Sequence, residues 1–139
     1  MKRRKARECA LQALFRAEFT KDKPDRDALK SLCDDTDDEV YWFFVELVEG
    51  TLEHLAEIDA AIKEAAEHWA IDRMAAVDRN ILRAATYEIL YRMDIPPAVS
   101  INEAIEIAKK YSAVESASFI NGILDNISKR AKRAATTGG

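Results

Sequence analysis

The sequence predicts an all-α protein, a single compact domain of about six to seven helices joined by short connections. Apolar side chains recur at steps of three and four residues along most of the chain, and no segment alternates strictly between apolar and polar residues. Only 4 glycines and 3 prolines occur among the 139 residues, which argues against a turn-rich β fold and leaves no glycine-rich phosphate loop. The length is that of one domain, or of two subdomains that share a core.

The first helix is predicted over residues 3–19, where neither glycine nor proline interrupts the apolar pattern. Pro24 breaks this pattern. A short, weak helix is predicted around residues 27–32.

An acidic run at residues 34–39 is interpreted as the start of the next helix, because Thr36 and Glu39 have the spacing of a capping box. Calcium binding is an alternative, but the run lacks the glycine and the alternating ligands of an EF-hand loop. The helix behind this cap has the clearest amphipathic pattern in the chain. Gly50 lies inside it, and the close approach of another helix is the simplest reason for a glycine there. Three side chains off the apolar stripe either fill a second packing face or touch a partner: Tyr41, Trp42 and Val45.

The second half of the chain is predicted to contain the central helix. A helix over residues 58–69 and a break at residues 71–73 precede it, and residues 77–92 are apolar on almost every side. Such a pattern is typical of a buried helix. The break divides the domain into helical halves of about residues 1–70 and 71–133, with a frayed tail at residues 134–139.

Two helices are predicted after the central one. Pro96 and Pro97 end the central helix, and Ser100 with Glu103 has the spacing of a second capping box. The last helix begins after a turn near residues 112–116. Within it, Asn121 and Gly122 are interpreted as a tight helix contact with a buried amide.

Charge is distributed unevenly along the chain. The net charge of −4 combines +5 over residues 1–16, +4 over residues 129–139 and −13 over the residues between them. A basic end can follow a phosphate backbone, and an acidic body suits a basic protein partner. Solubilising basic tails are the alternative, and charge alone does not separate the two.

The residue types needed for catalysis or metal binding show no matching pattern. Cys9 and Cys33 cannot form a disulfide framework or an all-cysteine zinc site, and His54 and His68 lack ligands at a convincing spacing. The sequence therefore predicts a non-enzymatic protein without metal or cofactor. It also predicts a cytoplasmic protein, because no apolar run could span a membrane and no secretory signal is present.

Four sequence blocks resemble the NusB family of transcription antitermination factors, in that family's order. They are RRKARECALQALF at residues 3–15, VDRNILR at 77–83 followed by Tyr87-Glu88, Ile95-Pro96 with INEAIEIAK at 101–109, and Glu115-Ser116 with FINGILD at 119–125. Each block alone is a weak helical pattern, whereas together they are specific and span nearly the whole chain. Residues 20–40 show no such resemblance.

The resemblance implies two packed three-helix bundles, which agrees with the break near Asp72. It also implies binding of the single-stranded boxA element of ribosomal RNA leader transcripts, together with the small-subunit ribosomal protein NusE. The pair would join other Nus factors on RNA polymerase and suppress premature termination. Whether the chain is a monomer or a homodimer that hides its RNA face stays open.

The basic start of the first helix is the first candidate RNA contact, with Arg3, Arg4, Lys5 and Arg7 as a phosphate-binding arm. The resemblance adds Arg73 and Arg83 near the RNA path, where surface ion pairing is the alternative. It also adds a second surface, in which Phe119 would stack on a base and small polar residues would read base edges. That surface comprises Glu115, Ser116, Ser118 and Phe119. Core packing is the alternative for Phe119.

For the protein partner NusE, the resemblance indicates Phe15, Phe19 and Asp78. The two phenylalanines lie one helical turn apart and can form one anchor patch. Asp78 could pair with a basic residue of the partner. The family commonly has tyrosine at the position of Phe15, so one hydroxyl is missing here.

Two other functions compete with antitermination. A related helical domain is fused to certain ribosomal RNA methyltransferases, so an accessory RNA binder in rRNA maturation is one alternative. A non-catalytic protein–protein scaffold whose basic ends are inert is the other.

Overall fold

The fold consists of helices throughout the described part of the chain. A computed structural model describes residues 2–33, 37–67 and 69–137. Within these residues it contains seven α-helices, one short 3₁₀ helix at Ile71–Arg73, and no strand. The α-helices are α1 (Lys2–Thr20), α2 (Arg26–Leu32), α3 (Asp38–Glu53), α4 (Leu55–Ala66), α5 (Ala76–Tyr91), α6 (Pro97–Tyr111) and α7 (Val114–Thr137). The predicted all-α class is confirmed.

Helix α5 lies at the centre of the packing. It contacts α1, α3, α4, α6 and α7. Its buried residues come from all around the helix, as its sequence predicted. One continuous apolar core joins both halves of the chain, and α4 packs on α5 and α7 as well as on α3.

The start of α3 differs from the prediction. Its N-cap is Asp37, whose carboxylate accepts hydrogen bonds from the backbone amides of Glu39 and Val40. Thr36, the predicted cap, lies outside the described residues. Of the three side chains off the apolar stripe, Val45 is buried, Tyr41 is half-buried and Trp42 is exposed.

The predicted capping box at Ser100 and Glu103 is wrong. Helix α6 begins earlier, at Pro97, because proline is compatible with the first turn of a helix. Ser100 and Glu103 therefore lie inside α6, where both are buried and face α1 and α5. Their side chains serve tertiary contacts rather than the helix end.

The prediction for Asn121 and Gly122 is also wrong. Both residues are exposed on α7, and a Cβ added at Gly122 would meet nothing within 4 Å. Helix α7 continues to Thr137, so most of the segment predicted to fray is helical.

Gly50 fulfils the prediction of a close helix approach. A Cβ at this position would overlap the ring of Tyr87 on α5. That ring is confined, because its hydroxyl donates a 3.1 Å hydrogen bond to Glu46 and its face stacks on Tyr91. Burial, with the nearby Glu46 carboxylate, raises the pKa of Tyr87 to about 12.

We expect Gly50→Ala to lower the free energy of unfolding by about 1–3 kcal/mol, because the added methyl group forces Tyr87 out of its site. The helix propensity gained from alanine, about 1 kcal/mol, offsets only part of this. Urea denaturation measures the change. Gly122→Ala is the matched control and should be neutral or stabilising, since its added methyl group faces open space. Equal effects of the two substitutions would contradict the close approach at Gly50.

No helix within residues 2–33, 37–67 and 69–137 is long and apolar enough to cross a membrane.

Candidate nucleic-acid interface

The basic residues at the start of α1 are held by acidic and aromatic neighbours. The Arg3 guanidinium lies 4.6 Å from the centre of the Phe43 ring and 3.7 Å from a Glu39 carboxylate oxygen. Arg4 forms a fork with Glu103, at 3.1 Å from Nε and 2.5 Å from Nη2. Both arginine side chains remain more than a third exposed, and Lys5 is exposed. Of the four residues of the predicted arm, Arg3, Arg4 and Lys5 are therefore accessible to solvent.

The prediction that Arg7 belongs to the exposed arm is wrong. Arg7 is only 7% exposed and points into the core between α1, α5 and α6. Its Nε and Nη2 donate to the two carboxylate oxygens of Glu88 at 2.8 and 2.7 Å, and its Nη1 lies 3.4 Å from Glu103. Ser100 donates a further hydrogen bond to Glu88 at 2.9 Å. The spacing of Arg7 from Leu11 and Leu14 on the apolar face of α1 is the sequence signal of this burial.

Arg4 and Arg7 share the carboxylate of Glu103. The hydrogen bond from Arg4 keeps the pKa of Glu103 below its usual range, so this carboxylate is charged at neutral pH. Two guanidinium groups thus face two carboxylates, Glu88 and Glu103. This arrangement holds the first two turns of α1 against α5 and α6. It thereby also fixes the position of Arg3, Arg4 and Lys5.

A groove at the N-terminal end of α5 brings together four of the predicted RNA contacts. Arg73, Glu115, Ser116 and Phe119 line a space of about 280 Å³, although they come from two segments forty residues apart. Its other walls are Trp69, Met74, Ala75 and Asp78. Phe119 is half-buried, so it packs on the core and also presents part of its ring to the groove. Ser118 is exposed on α7 but is not part of the lining.

The exposed side chain of Trp69 is a feature of this groove that sequence reasoning missed. It is 57% exposed, and its ring meets Phe119 edge to face, with centroids 5.6 Å apart and an interplanar angle of 76°. The apolar pattern predicted Trp69 as the end of a buried helical face. Helix α4 instead ends at Ala66, and Glu67 adopts a positive φ of 52°, so the helical spacing does not extend to Trp69. No sequence signal marked this turn.

Asp78 belongs to the wall of this groove. It is 8% exposed, and its carboxylate accepts hydrogen bonds from Ser116, at 2.8 Å, and from Ser112. Each of its two carboxylate oxygens therefore accepts one hydrogen bond from within the chain. The pairing of Asp78 with a basic residue of a protein partner stays a prediction.

Arg83 lies in a different groove. Its guanidinium binds both carboxylate oxygens of Asp59, at 2.8 and 2.9 Å, and one of Glu18 at 2.9 Å. With the side chain 13% exposed, ion pairing within the acidic body describes Arg83 better than a position on the RNA path. Sequence reasoning had left that alternative open.

The predicted aromatic patch on α1 is formed as expected. The rings of Phe15 and Phe19 contact each other with centroids 4.9 Å apart, and Phe19 is 67% exposed. Phe15 is half-buried, so the pair combines a ring anchored on α1 with an exposed one, which is typical of a protein-binding anchor.

The sequence of this chain matches one protein family over nearly its full length. The model described as the NusB family matches residues 4–129. The chain belongs to the NusB family. The transcription antitermination protein NusB of Thermodesulfovibrio yellowstonii is 47% identical, with 93% of each chain covered. The protein of the same name from Listeria monocytogenes serotype 4a is 48% identical, with 95% of this chain and all of the relative covered.

Solved structures of NusB proteins have the same fold. T. maritima NusB superposes with a TM-score of 0.84 at 43% identity, covering 91% of this chain and 90% of that one. A chain in the crystal structure of the antitermination factors NusB and NusE in complex with double-stranded RNA gives a TM-score of 0.84 at 26% identity. That match covers 93% of this chain and 97% of the other. In this chain the start of α1 packs near the C-terminal end of α5, through Arg7 and Glu88, and the groove lies at the N-terminal end of α5.

Proposed function

We propose that this protein is a non-catalytic, cytoplasmic transcription antitermination factor. It binds the single-stranded boxA element of ribosomal RNA leader transcripts together with NusE, and so suppresses premature termination. The observation that carries this proposal is the groove in which an exposed tryptophan, a half-buried phenylalanine and an exposed arginine face one space. A NusB–NusE–RNA complex among the structural neighbours supports it.

The groove has the chemistry that unpaired bases need. Trp69 and Phe119 offer ring surfaces on which bases stack, and stacking of this kind is largely independent of sequence. Glu115, on the exposed first turn of α7, can accept hydrogen bonds from base amino groups, which are donors. Arg73, exposed at the end of the 3₁₀ helix, supplies a positive charge for a phosphate or a purine edge. Ser116 is engaged with Asp78, and Ser118 extends the polar rim.

The arm at the start of α1 supplies the sequence-independent part of the affinity. Arg3, Arg4 and Lys5 are its phosphate contacts in this proposal. Arg7 is not one of them, because its guanidinium is buried and paired with Glu88. Arg83 is not one either, because it is paired with Asp59. To contact a phosphate, Arg4 must either release Glu103 or bind the phosphate and Glu103 at the same time.

The patch formed by Phe15 and Phe19 is the proposed anchor for NusE. The net charge of −13 over residues 17–128 favours the approach of a basic ribosomal protein. Through this pair the chain would reach the other Nus factors and RNA polymerase. A homodimer that covers the same surfaces would compete with both partners.

Fluorescence anisotropy of a short boxA-type RNA tests the function. The protein is titrated with and without NusE at two salt concentrations, with a scrambled RNA as the control. Selective binding of boxA that tightens when NusE is present supports antitermination. Equal binding of both RNAs would contradict it. Selective binding that NusE does not affect would favour the rRNA-maturation accessory, and NusE binding without RNA binding would favour the scaffold.

The salt dependence of binding tests the arm separately. Three phosphate contacts on single-stranded RNA predict a slope of about −2 in log affinity against log salt, from roughly −0.7 for each contact. Replacing Arg3, Arg4 and Lys5 with alanine should flatten this slope and weaken binding of every RNA to a similar degree. A variant with Lys23, Lys30 and Lys63 changed to alanine removes the same charge from other exposed positions and is the matched control. An unchanged slope in the first variant would exclude the arm from the interface.

A further inference from the structure

The segment that carries Arg73 and Trp69 has little regular structure of its own. Between α4 and α5 its backbone is held by single turns, with Trp69 donating to the Ala66 carbonyl at 3.3 Å and Arg73 donating to the Ala70 carbonyl at 3.0 Å. Both side chains are exposed. The side chains of Ile71 and Met74 pack on the core and anchor the segment, so the question is what fixes the backbone between them.

Arg79 on α5 donates side-chain hydrogen bonds to the backbone of this segment. Its Nη1 donates to the carbonyl oxygens of Ile71 and Met74, at 3.0 and 2.7 Å. These two carbonyls flank Arg73 on either side, so one guanidinium nitrogen clamps the 3₁₀ turn to α5.

The other edge of the same guanidinium is fixed by α1. Nε and Nη2 bind the two carboxylate oxygens of Glu18 at 2.6 and 2.8 Å, and both side chains are mostly buried. The hydrogen bond from Arg79 lowers the pKa of Glu18, so the pair stays charged at neutral pH. With all three nitrogens engaged inside the chain, Arg79 has little capacity left for a phosphate.

We propose that Arg79 is a positioning residue for the groove: it holds the 3₁₀ turn so that Arg73 and Trp69 face Phe119 before RNA arrives. The role in RNA binding rests on the function proposed above, whereas the ordering of the turn does not. A preformed groove binds more tightly because less conformational freedom is lost on binding. Because Arg79 also pairs with Glu18, it links this turn to α1, the helix that carries Phe15 and Phe19.

Arg79→Lys is the decisive substitution. Lysine retains the charge, but its ammonium group cannot reach a carboxylate and two carbonyls in the planar fork that arginine provides. Hydrogen exchange followed by mass spectrometry should show faster exchange in peptides covering residues 69–75, by about tenfold, with the interior of α5 unchanged. Circular dichroism and the melting temperature confirm that the variant is folded.

Arg83→Gln is the matched control for this measurement. Arg83 also binds Glu18 and is buried to a similar degree, but it makes no hydrogen bond to the segment 71–74. Exchange over residues 69–75 should therefore be the same in this variant as in the native chain. Unchanged exchange in Arg79→Lys, or an equal increase in both variants, would overturn the inference.

RNA binding provides the second measurement. We expect Arg79→Lys to weaken binding of the boxA-type RNA about 3- to 10-fold, because RNA must then order a few side chains that are held in place in the native chain. The salt slope should not change. A shallower slope would mean that Arg79 contacts phosphate directly, and full affinity would mean that it does not position the groove. If the native chain fails to select boxA, the proposed function fails, and the exchange measurement still decides whether Arg79 orders the turn.

Discussion

Trp69→Ala is expected to weaken binding of boxA-type RNA about 10- to 100-fold, because one base–aromatic stack contributes roughly 1–3 kcal/mol. The indole is more than half exposed in the free protein, so its removal costs little stability. Anisotropy titration of the labelled RNA measures the change. The salt slope should stay constant, since a stacking contact releases no counterions.

Trp42→Ala is the matched control for this experiment. Trp42 is the other tryptophan of the chain, is 54% exposed, and lies on α3 rather than at the groove. The two substitutions remove the same side chain at nearly the same exposure. Equal affinities of the two variants for RNA would contradict a stacking role of Trp69.

Phe119→Leu extends the same prediction to the second ring of the groove. Leucine retains most of the apolar contact with the core but removes the flat ring surface that faces Trp69. Loss of RNA affinity with little loss of stability would assign Phe119 to base stacking. Loss of stability without loss of affinity would assign it to core packing, the alternative that the sequence left open.

Arg7→Met is expected to lower the free energy of unfolding by about 3–5 kcal/mol, the usual cost of removing one partner from a buried ion pair. Glu88 is 1% exposed, and without Arg7 its carboxylate keeps only the hydrogen bond from Ser100. Urea denaturation of the purified variant measures this loss.

A second variant separates the cost of an unpaired charge from the contribution of the pair itself. Changing Arg7 to methionine together with Glu88 to leucine removes both charges, and much of the lost stability should return. Arg26→Met is the control, because Arg26 makes the same kind of fork with Glu49 on the exposed surface and its loss should hardly be measurable. A small effect of Arg7→Met alone would show that Glu88 finds solvent or another partner.

Neighbouring arginines at the start of α1 are expected to affect different measured properties of the protein. Arg3 and Arg4, with Lys5, should affect RNA affinity and its salt dependence. Arg7 should affect stability. The difference arises because α1 turns Arg7 toward α5 and α6, where two carboxylates are buried, and leaves the first turn partly exposed.

The sequence alone determined the all-α class, the central position of α5 and the contact between Phe15 and Phe19. Each of these follows from spacing along one helix, which fixes the face on which a side chain lies. Gly50 belongs to the same group, because a glycine inside an amphipathic helix indicates close packing. Resemblance to the family supplied four residues of the groove, Arg73, Glu115, Ser116 and Phe119, and neither spacing nor charge would have joined them.

Only the tertiary structure decided which element each face meets. Ser100 and Glu103 have the spacing of a capping box, yet they bind Glu88, Arg4 and Arg7 across helix interfaces. The exposure of Trp69 depends on where α4 stops, and the ion pairs of Arg83 depend on α1 and α4 lying beside α5. The helical period shows that a helix has a buried face, but the residues that pack on that face are distant in sequence. Burial of charge and the assembly of the groove therefore became visible only once the helices were packed.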